Sequence, residues 1–228
     1  MMNIYQETIL QKILKWLLGM FALTMSFYAT GYELGHCGSL SNPYGPYDYT
    51  NPLHLKKYYP IVGINHFTPQ VESLIKGESG DLDKDIDYTL RTFPNHHRAL
   101  QAMAKLQMRE GYRRSDRIYS VDCYFDRAMR FKPKDGVVRL LYGIYLHKQG
   151  KYEEALKHYE EAKHLMPKNP ELNYNLGLLY LDMKDYANAR TYAEKAYNAG
   201  YPLQGLKRRL RKIGYWNKVR DNSGESPK

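Results

Sequence analysis

Residues recur at a fixed interval of 34 in the C-terminal half of the chain. Tyr152, Ala155 and Ala162 return as Tyr186, Ala189 and Ala196, and Gly143 returns as Gly177. Phe125, Ala128 and Pro133 anticipate Tyr159, Ala162 and Pro167 by the same step. Such an interval marks stacked helix–turn–helix units, each too small to bury its own apolar face and so dependent on its neighbour. It predicts an all-α fold, a short α-solenoid preceded by a mostly irregular N-terminal arm.

Three units are expected within 94–201, the first of them degenerate. Their helix pairs are predicted at 95–109 and 120–131, at 136–148 and 152–165, and at 170–183 and 185–199, with Gly150 and Lys184 at tight turns. Pro94 to Pro170 exceeds two periods by eight residues, which places an insertion of that size around 111–117. A capping segment, 202–216, holds one more helix, and 217–228 reads as a disordered tail. The arm, 32–93, is rich in tyrosine and in turn formers such as Asn42, Pro43, Gly45, Pro46, Asn51 and Pro52. Ile61, Val62 and Ile64 suggest a short extended piece in it. Thr68 and Pro69 open a short helix at 70–76, and a run of aspartates precedes another at 84–92.

The third unit carries Leu176, Gly177, Tyr180 and Ala189, and the second carries Tyr142, Gly143, Ala155, Tyr159, Ala162 and Pro167. In this spacing the chain resembles the tetratricopeptide repeat family. Arg139 and Asn173 stand where that family usually has tryptophan, and Val121 and Ala104 replace family residues in the first unit. The resemblance covers about 120 residues and excludes the arm. Arm and repeats together resemble small exported repeat proteins of Gram-negative bacteria, to which no activity attaches.

The resemblance implies a concave face built from first helices, here Val137, Leu140, Ile144 and His147, then Tyr174, Leu178 and Leu181. The stripe is mostly apolar. The chaperone-binding branch of the family clamps a carboxylate there with Lys, Asn and Arg; Leu140, Ile144, Tyr174 and Leu178 replace that chemistry. Such a stripe docks a partner segment or is filled by the chain's own arm, and the sequence leaves both open. The last helix has Leu206, Leu210 and Ile213 on one face and Lys207, Arg208, Arg209, Arg211 and Lys212 on the other. That basic face is either solvated or a contact for anionic lipid or an acidic protein.

Lys12 and Lys15 precede a charge-free run from Trp16 to Ala29, so 1–31 is expected to be an export signal or an N-terminal membrane anchor. Either reading places the remainder outside the cytoplasm, with the periplasm of a Gram-negative bacterium the expected address. The net charge of +10 then fits an anionic surface or an acidic partner better than nucleic acid. The two cysteines, Cys37 and Cys123, are either one disulfide or two thiols. Tyrosine is abundant, 23 residues against six Phe, and suits half-exposed packing or binding surfaces.

No catalytic constellation is legible. There is no serine elbow, phosphate-cradling glycine loop or paired-cysteine metal motif. In the aspartate run from Asp81 to Asp87, Ile86 occupies the glycine position of a calcium loop and Thr92 its closing glutamate. His96 and His97 are adjacent and His158 and His164 six apart, neither a helical ligand pair. The expectation is a non-enzymatic exported adaptor holding an unidentified protein partner in an envelope assembly, with no cofactor, metal or small-molecule substrate. The alternative is a peripheral protein that binds anionic membrane or acidic polymer through its basic last helix.

Overall fold

The computed structural model describes residues 37–111 and 118–216. The export-signal and tail expectations, and nearly all of the expected insertion, lie outside the described residues. The chain divides into two compact units, Met1–Ser39 and Leu40–Lys228. All the helices described below lie in the second: α1 Pro52–Asn65, α2 Pro69–Glu72, α3 Leu82–Thr92, α4 His97–Glu110, α5 Val121–Phe131, α6 Gly136–Lys148, α7 Tyr152–Leu165, α8 Pro170–Asp182, α9 Tyr186–Asn198 and α10 Gly205–Lys212. There is no strand among the described residues. The fold is an all-α solenoid.

Local chemistry sets where the repeat helices begin. Asp135 accepts from the backbone N of Val137 and Val138, Asn169 from Leu172 and Asp185 from Asn188, each at 2.8–3.3 Å. These caps satisfy amides that have no carbonyl partner in a first helical turn. The turns that close the hairpins need a left-handed residue. Gly150 supplies it between α6 and α7 at φ 76°, and Lys184 takes the equivalent place between α8 and α9 at φ 65°.

The recurring small residues mark helix crossings. A Cβ on Gly143 of α6 would collide with the ring of Tyr159 on α7. A Cβ on Gly177 of α8 would lie 2.5 Å from Leu206 of α10 and 3.2 Å from the Ala189 carbonyl of α9. Ala155, Ala162, Ala189, Ala193 and Ala196 are fully buried on the facing helices. The two positions that lack the family tryptophan are occupied productively. Arg139 pairs with Glu161 of α7 at 2.5 Å, and Asn173 turns back onto the Asn169 carbonyl at 3.1 Å.

The arm is more ordered than its composition suggests. Residues 52–65, where an extended piece is expected around Ile61, Val62 and Ile64, form α1. Asn51 caps it and Pro52 starts it. Pro60 is exposed, so the carbonyl its missing N–H would have engaged faces the solvent side. Val62 is buried, and Tyr59 meets the rings of Phe93 and His96. Tertiary packing therefore overrides a local sequence rich in β-branched residues. Residues 69–72 form only one turn of the helix expected at 70–76, and α3 begins two residues earlier than expected.

α3 also answers to the repeat pattern. Ile86, Thr89 and Pro94 stand 39 residues before Phe125, Ala128 and Pro133. The ion pairs Asp87–Arg91 and Asp126–Arg130, each 2.7 Å, repeat at the same offset. Pro94 is thus the exit proline of α3 and not the opening proline of a unit. Counted from helix start to helix start, α4 to α6 is 39 residues, so the first unit exceeds the period by five and not eight.

Candidate functional site

The predicted groove residues fall into two environments. On α6, Leu140 is buried in the core, and Val137, Ile144 and His147 are half-buried. On α8, Tyr174 and Leu181 are buried and Leu178 is half-buried. The α8 set is roofed by the chain itself. Leu206 and Leu210 of α10 pack into one cluster with Tyr174, Leu181, Ala189, Ala193 and Ala196. Tyr201 lies 4.5 Å from the Tyr174 ring, and Gly205 passes so close that a Cβ there would sit 2.9 Å from the Tyr174 hydroxyl. The structure therefore brings Tyr174, Leu178 and Leu181 together as a seat for α10.

Polar contacts lock that cap. Asp182, at the end of α8, accepts from His147 of α6 at 2.8 Å and from Arg209 of α10 at 2.5 Å. Burial pushes the Asp182 carboxyl up, but the bonds from Arg209 and His147 outweigh it and hold the group below the usual carboxylate range. Three helices meet on one carboxylate.

The five residues of the predicted basic surface are likewise divided. Arg209 is engaged with Asp182, and Lys207 lies over the rings of Tyr197 and Trp216 at 5.7 and 5.3 Å. Arg208, Arg211 and Lys212 are exposed. Of the predicted apolar face, Leu206 and Leu210 are inaccessible and packed on the repeats, whereas Ile213, just past the helix, is 40% exposed.

The open part of the repeat face lies on α4. Arg98, Gln101, Lys105 and Met108 stand 39 residues before Val137, Leu140, Ile144 and His147, and all four are exposed. Sequence reading at a strict interval of 34 passes over them. The signal that finds them is Ala104, a small residue 39 before Gly143, once the extra residues of the first unit are counted. Since α4 packs beside α6, these four side chains and the half-buried Val137 and Ile144 form the accessible stretch of first-helix surface.

The arm is tied to the first unit through a polar knot. Asn95, fully buried, donates to Asp48 at 2.8 Å and to Asp135 at 3.1 Å, and accepts from the Tyr49 backbone N at 3.0 Å. His97 meets Asp135 at 2.9 Å, and Lys132 meets Asp48 at 2.6 Å. Burial works against ionisation of Asp48 and Asp135, yet Lys132 and Asn95 on one and His97 on the other hold both carboxyls low. His96 is sealed among Tyr49, Tyr59 and Phe67, and burial depresses its pKa to about 3. The arm thus packs on the side of the first unit. Cys37 and Cys123 are both disulfide-bonded.

One cluster resembles hydrolytic chemistry in composition only. Asp85 accepts from Ser79 Oγ at 2.5 Å and from His66 Nδ1 at 3.0 Å. The carboxylate stands between hydroxyl and imidazole, so the ring has no contact through which to take the serine proton. Two further bonds from the Glu78 and Ser79 backbone N make Asp85 the anchor of the loop before α3. Among the described residues no group of three or more His, Cys, Asp or Glu is arranged to hold a metal ion.

Comparison with family models agrees with this geometry. The TPR repeat family matches residues 145–184, and the tetratricopeptide repeat family matches residues 170–199. Intraflagellar transport protein 70A of Danio rerio is 34% identical over 58 residues, 25% of this chain and 9% of that protein. A solved chain from work on the functional characterization of Pseudomonas aeruginosa pilF aligns with a TM-score of 0.45 at 25% identity, covering 58% of this chain and 60% of that one. The match therefore spans less than two thirds of either relative. Repeats of this kind are protein-interaction scaffolds, and the two matched segments overlap the α6–α9 hairpins whose crossings Gly143 and Gly177 define. Residues 145–199 of the chain thus match tetratricopeptide repeat models.

Proposed function

We propose that the chain is an exported, non-enzymatic adaptor that holds a protein partner in a cell-envelope assembly, and that the partner lies on the first-helix surface of α4 and α6. One observation carries the location. α10 roofs α8, whereas Arg98, Gln101, Lys105 and Met108 are exposed beside the half-buried Val137 and Ile144. The partner would present an extended or helical segment, apolar toward Val137 and Ile144 and polar toward α4. Export rests on the charge-free run from Trp16 to Ala29, and the envelope setting on the resemblance to small exported repeat proteins.

The test is crosslinking and capture from intact envelopes with wild type and Lys105→Glu plus Ile144→Asp. Far-ultraviolet circular dichroism checks that the helices remain. Loss of a specific captured protein supports the reading, and an unchanged set of captured proteins overturns it. Tyr174 and Leu178 are unsuitable targets because they belong to the seat of α10. The peripheral alternative, in which Arg208, Arg211 and Lys212 bind an anionic surface, is chiefly electrostatic because Leu206 and Leu210 of α10 are buried. It predicts loss of binding by ~0.5 M salt, where the Debye length falls to a few ångström, whereas apolar groove docking survives.

A further inference from the structure

α1 and α10 both display cations, and they differ in what stands beside the charge. α10 buries its leucines and shows only polar side chains. α1 does the reverse. Leu53, Ile61 and Ile64 are 74%, 53% and 71% exposed. At 100° per residue Leu53, Pro60 and Ile64 share a narrow stripe, with Lys57 and Ile61 on one flank and Lys56 on the other, an arc of roughly 140°. No Asp or Glu occurs in the helix, and Lys56 and Lys57 are exposed.

The opposite side of α1 is fixed. Tyr58 stacks on Tyr47 at 3.8 Å, His54 accepts from the Asp48 backbone N at 2.9 Å, and Val62 is fully buried. The stripe is therefore held outward by packing on its back. Single exposed aliphatics are ordinary, but an aliphatic stripe on a rigid helix whose own charges are all cations marks a contact surface.

Charge selects among occupants. A second copy of α1 packed on the first by a two-fold axis would set lysines against lysines with no acid on either helix. The cleft beside the stripe, lined by Tyr59, Gly63, Ile64, Phe67 and the ion pair of Glu72 with Arg98, is open and offers no enclosed seat for an anchoring side chain of a protein partner. An anionic lipid surface satisfies both features at once, because aliphatic side chains enter the acyl boundary while lysines reach back to phosphates. We infer that α1 is an interfacial helix that lays Leu53, Ile61 and Ile64 into an anionic lipid surface, with Lys56 and Lys57 at the lipid phosphates.

The test places a reporter on the stripe of the full chain. Ile64→Trp is compared with Leu165→Trp at the end of α7, which is 39% exposed and off the stripe. Each is mixed with vesicles of brominated lipid containing ~30% anionic headgroups, and wild-type emission is subtracted. Both variants share residues 1–31, so any insertion of that segment is common to them. The expected result is a blue shift and several-fold stronger quenching at Ile64→Trp than at Leu165→Trp. Both effects should be lost in zwitterionic vesicles and in an added Lys56→Glu, Lys57→Glu background. Equal quenching at the two sites overturns the inference. Quenching indifferent to headgroup charge overturns the anionic assignment. A blue shift that grows with protein concentration without vesicles assigns the stripe to a second copy instead.

Discussion

Replacing Leu206 by alanine isolates what the capping helix contributes. Leu206 is fully buried, and its Cδ2 fills the notch that Gly177 leaves on α8. Truncating a leucine in such a site costs ~2–5 kcal/mol, because lost transfer free energy and a residual cavity add. α10 has eight residues, too few to be helical alone, so docking is all that keeps it folded. The docking rests on Leu206, Leu210 and the Arg209–Asp182 pair. That pair is half-exposed and is worth at most ~1 kcal/mol. Removing most of the Leu206 term should therefore undock α10 before the solenoid as a whole unfolds. The assay is amide hydrogen exchange resolved by segment, alongside chemical denaturation. Protection should vanish over 205–212 and drop over 174–181, while α4 to α7 stay protected. Leu203→Ala, just upstream and 55% exposed, is the control, with an expected change within ~0.5 kcal/mol. If the two variants denature at the same point, or if α10 keeps its protection without Leu206, the roofing of α8 is wrong and Tyr174, Leu178 and Leu181 return as candidates for partner contact.

Four further outcomes follow from the same packing. Tyr159→Phe should stabilise the chain by ~1 kcal/mol in denaturant melts, since its hydroxyl is buried with no hydrogen-bond partner. Lys184→Gly should raise stability by roughly 1 kcal/mol, because only the lysine pays for a left-handed backbone at a turn where the preceding hairpin has Gly150. Gly143→Ala should cost ~1–3 kcal/mol by forcing the Tyr159 ring off its crossing, measurable as a lower midpoint at unchanged slope. The fourth concerns acid. Burial keeps His96 neutral and lowers its pKa to about 3, and burial does the same to His158, to about 4. An unfolded histidine titrates near ~6.5, so between these values the unfolded chain binds protons that the folded chain refuses, and stability falls as pH drops through that window. Asp48, Asp85, Asp135 and Asp182 are held low and lose their contribution only at more acidic pH. His96→Asn, which keeps an acceptor for the Ala99 amide, should flatten the decline between pH ~6.5 and ~4. An unchanged slope there would show that His96 does not carry it.

The repeat half was legible because its signal is local and periodic. Gly143, Gly177 and the alanines of the second helices answer to a single geometric demand, close approach of paired helices. Groove accessibility was not legible, because it depends on where a later element lands. Nothing within Tyr174, Leu178 or Leu181 reveals that Leu206, some 30 residues on, will cover them. The open surface on α4 was hidden for another reason, a change of interval in the first unit that shifts Arg98, Gln101, Lys105 and Met108 out of register. α1 was misread because Ile61, Val62 and Ile64 carry the side chains of a strand, while Tyr59 and Val62, three apart, are what the aromatic core around Phe93 and His96 engages. Of the basic last helix, the sequence revealed the sign of the charge but not that Arg209 and Lys207 are already committed within the chain.

The echo of Asp126–Arg130 in Asp87–Arg91 bears on how this molecule behaves in company. A solenoid ends, by construction, in a surface shaped to receive another unit like itself, and a bare end invites fibres. Here α3 stands upstream of α4 as a half-unit grown from the same pattern, and α10 shuts the downstream end with its two leucines. With both terminal rungs occupied, the molecule is a finite ladder. It should stay dispersed at concentrations where a variant stripped of α10 begins to stack end to end.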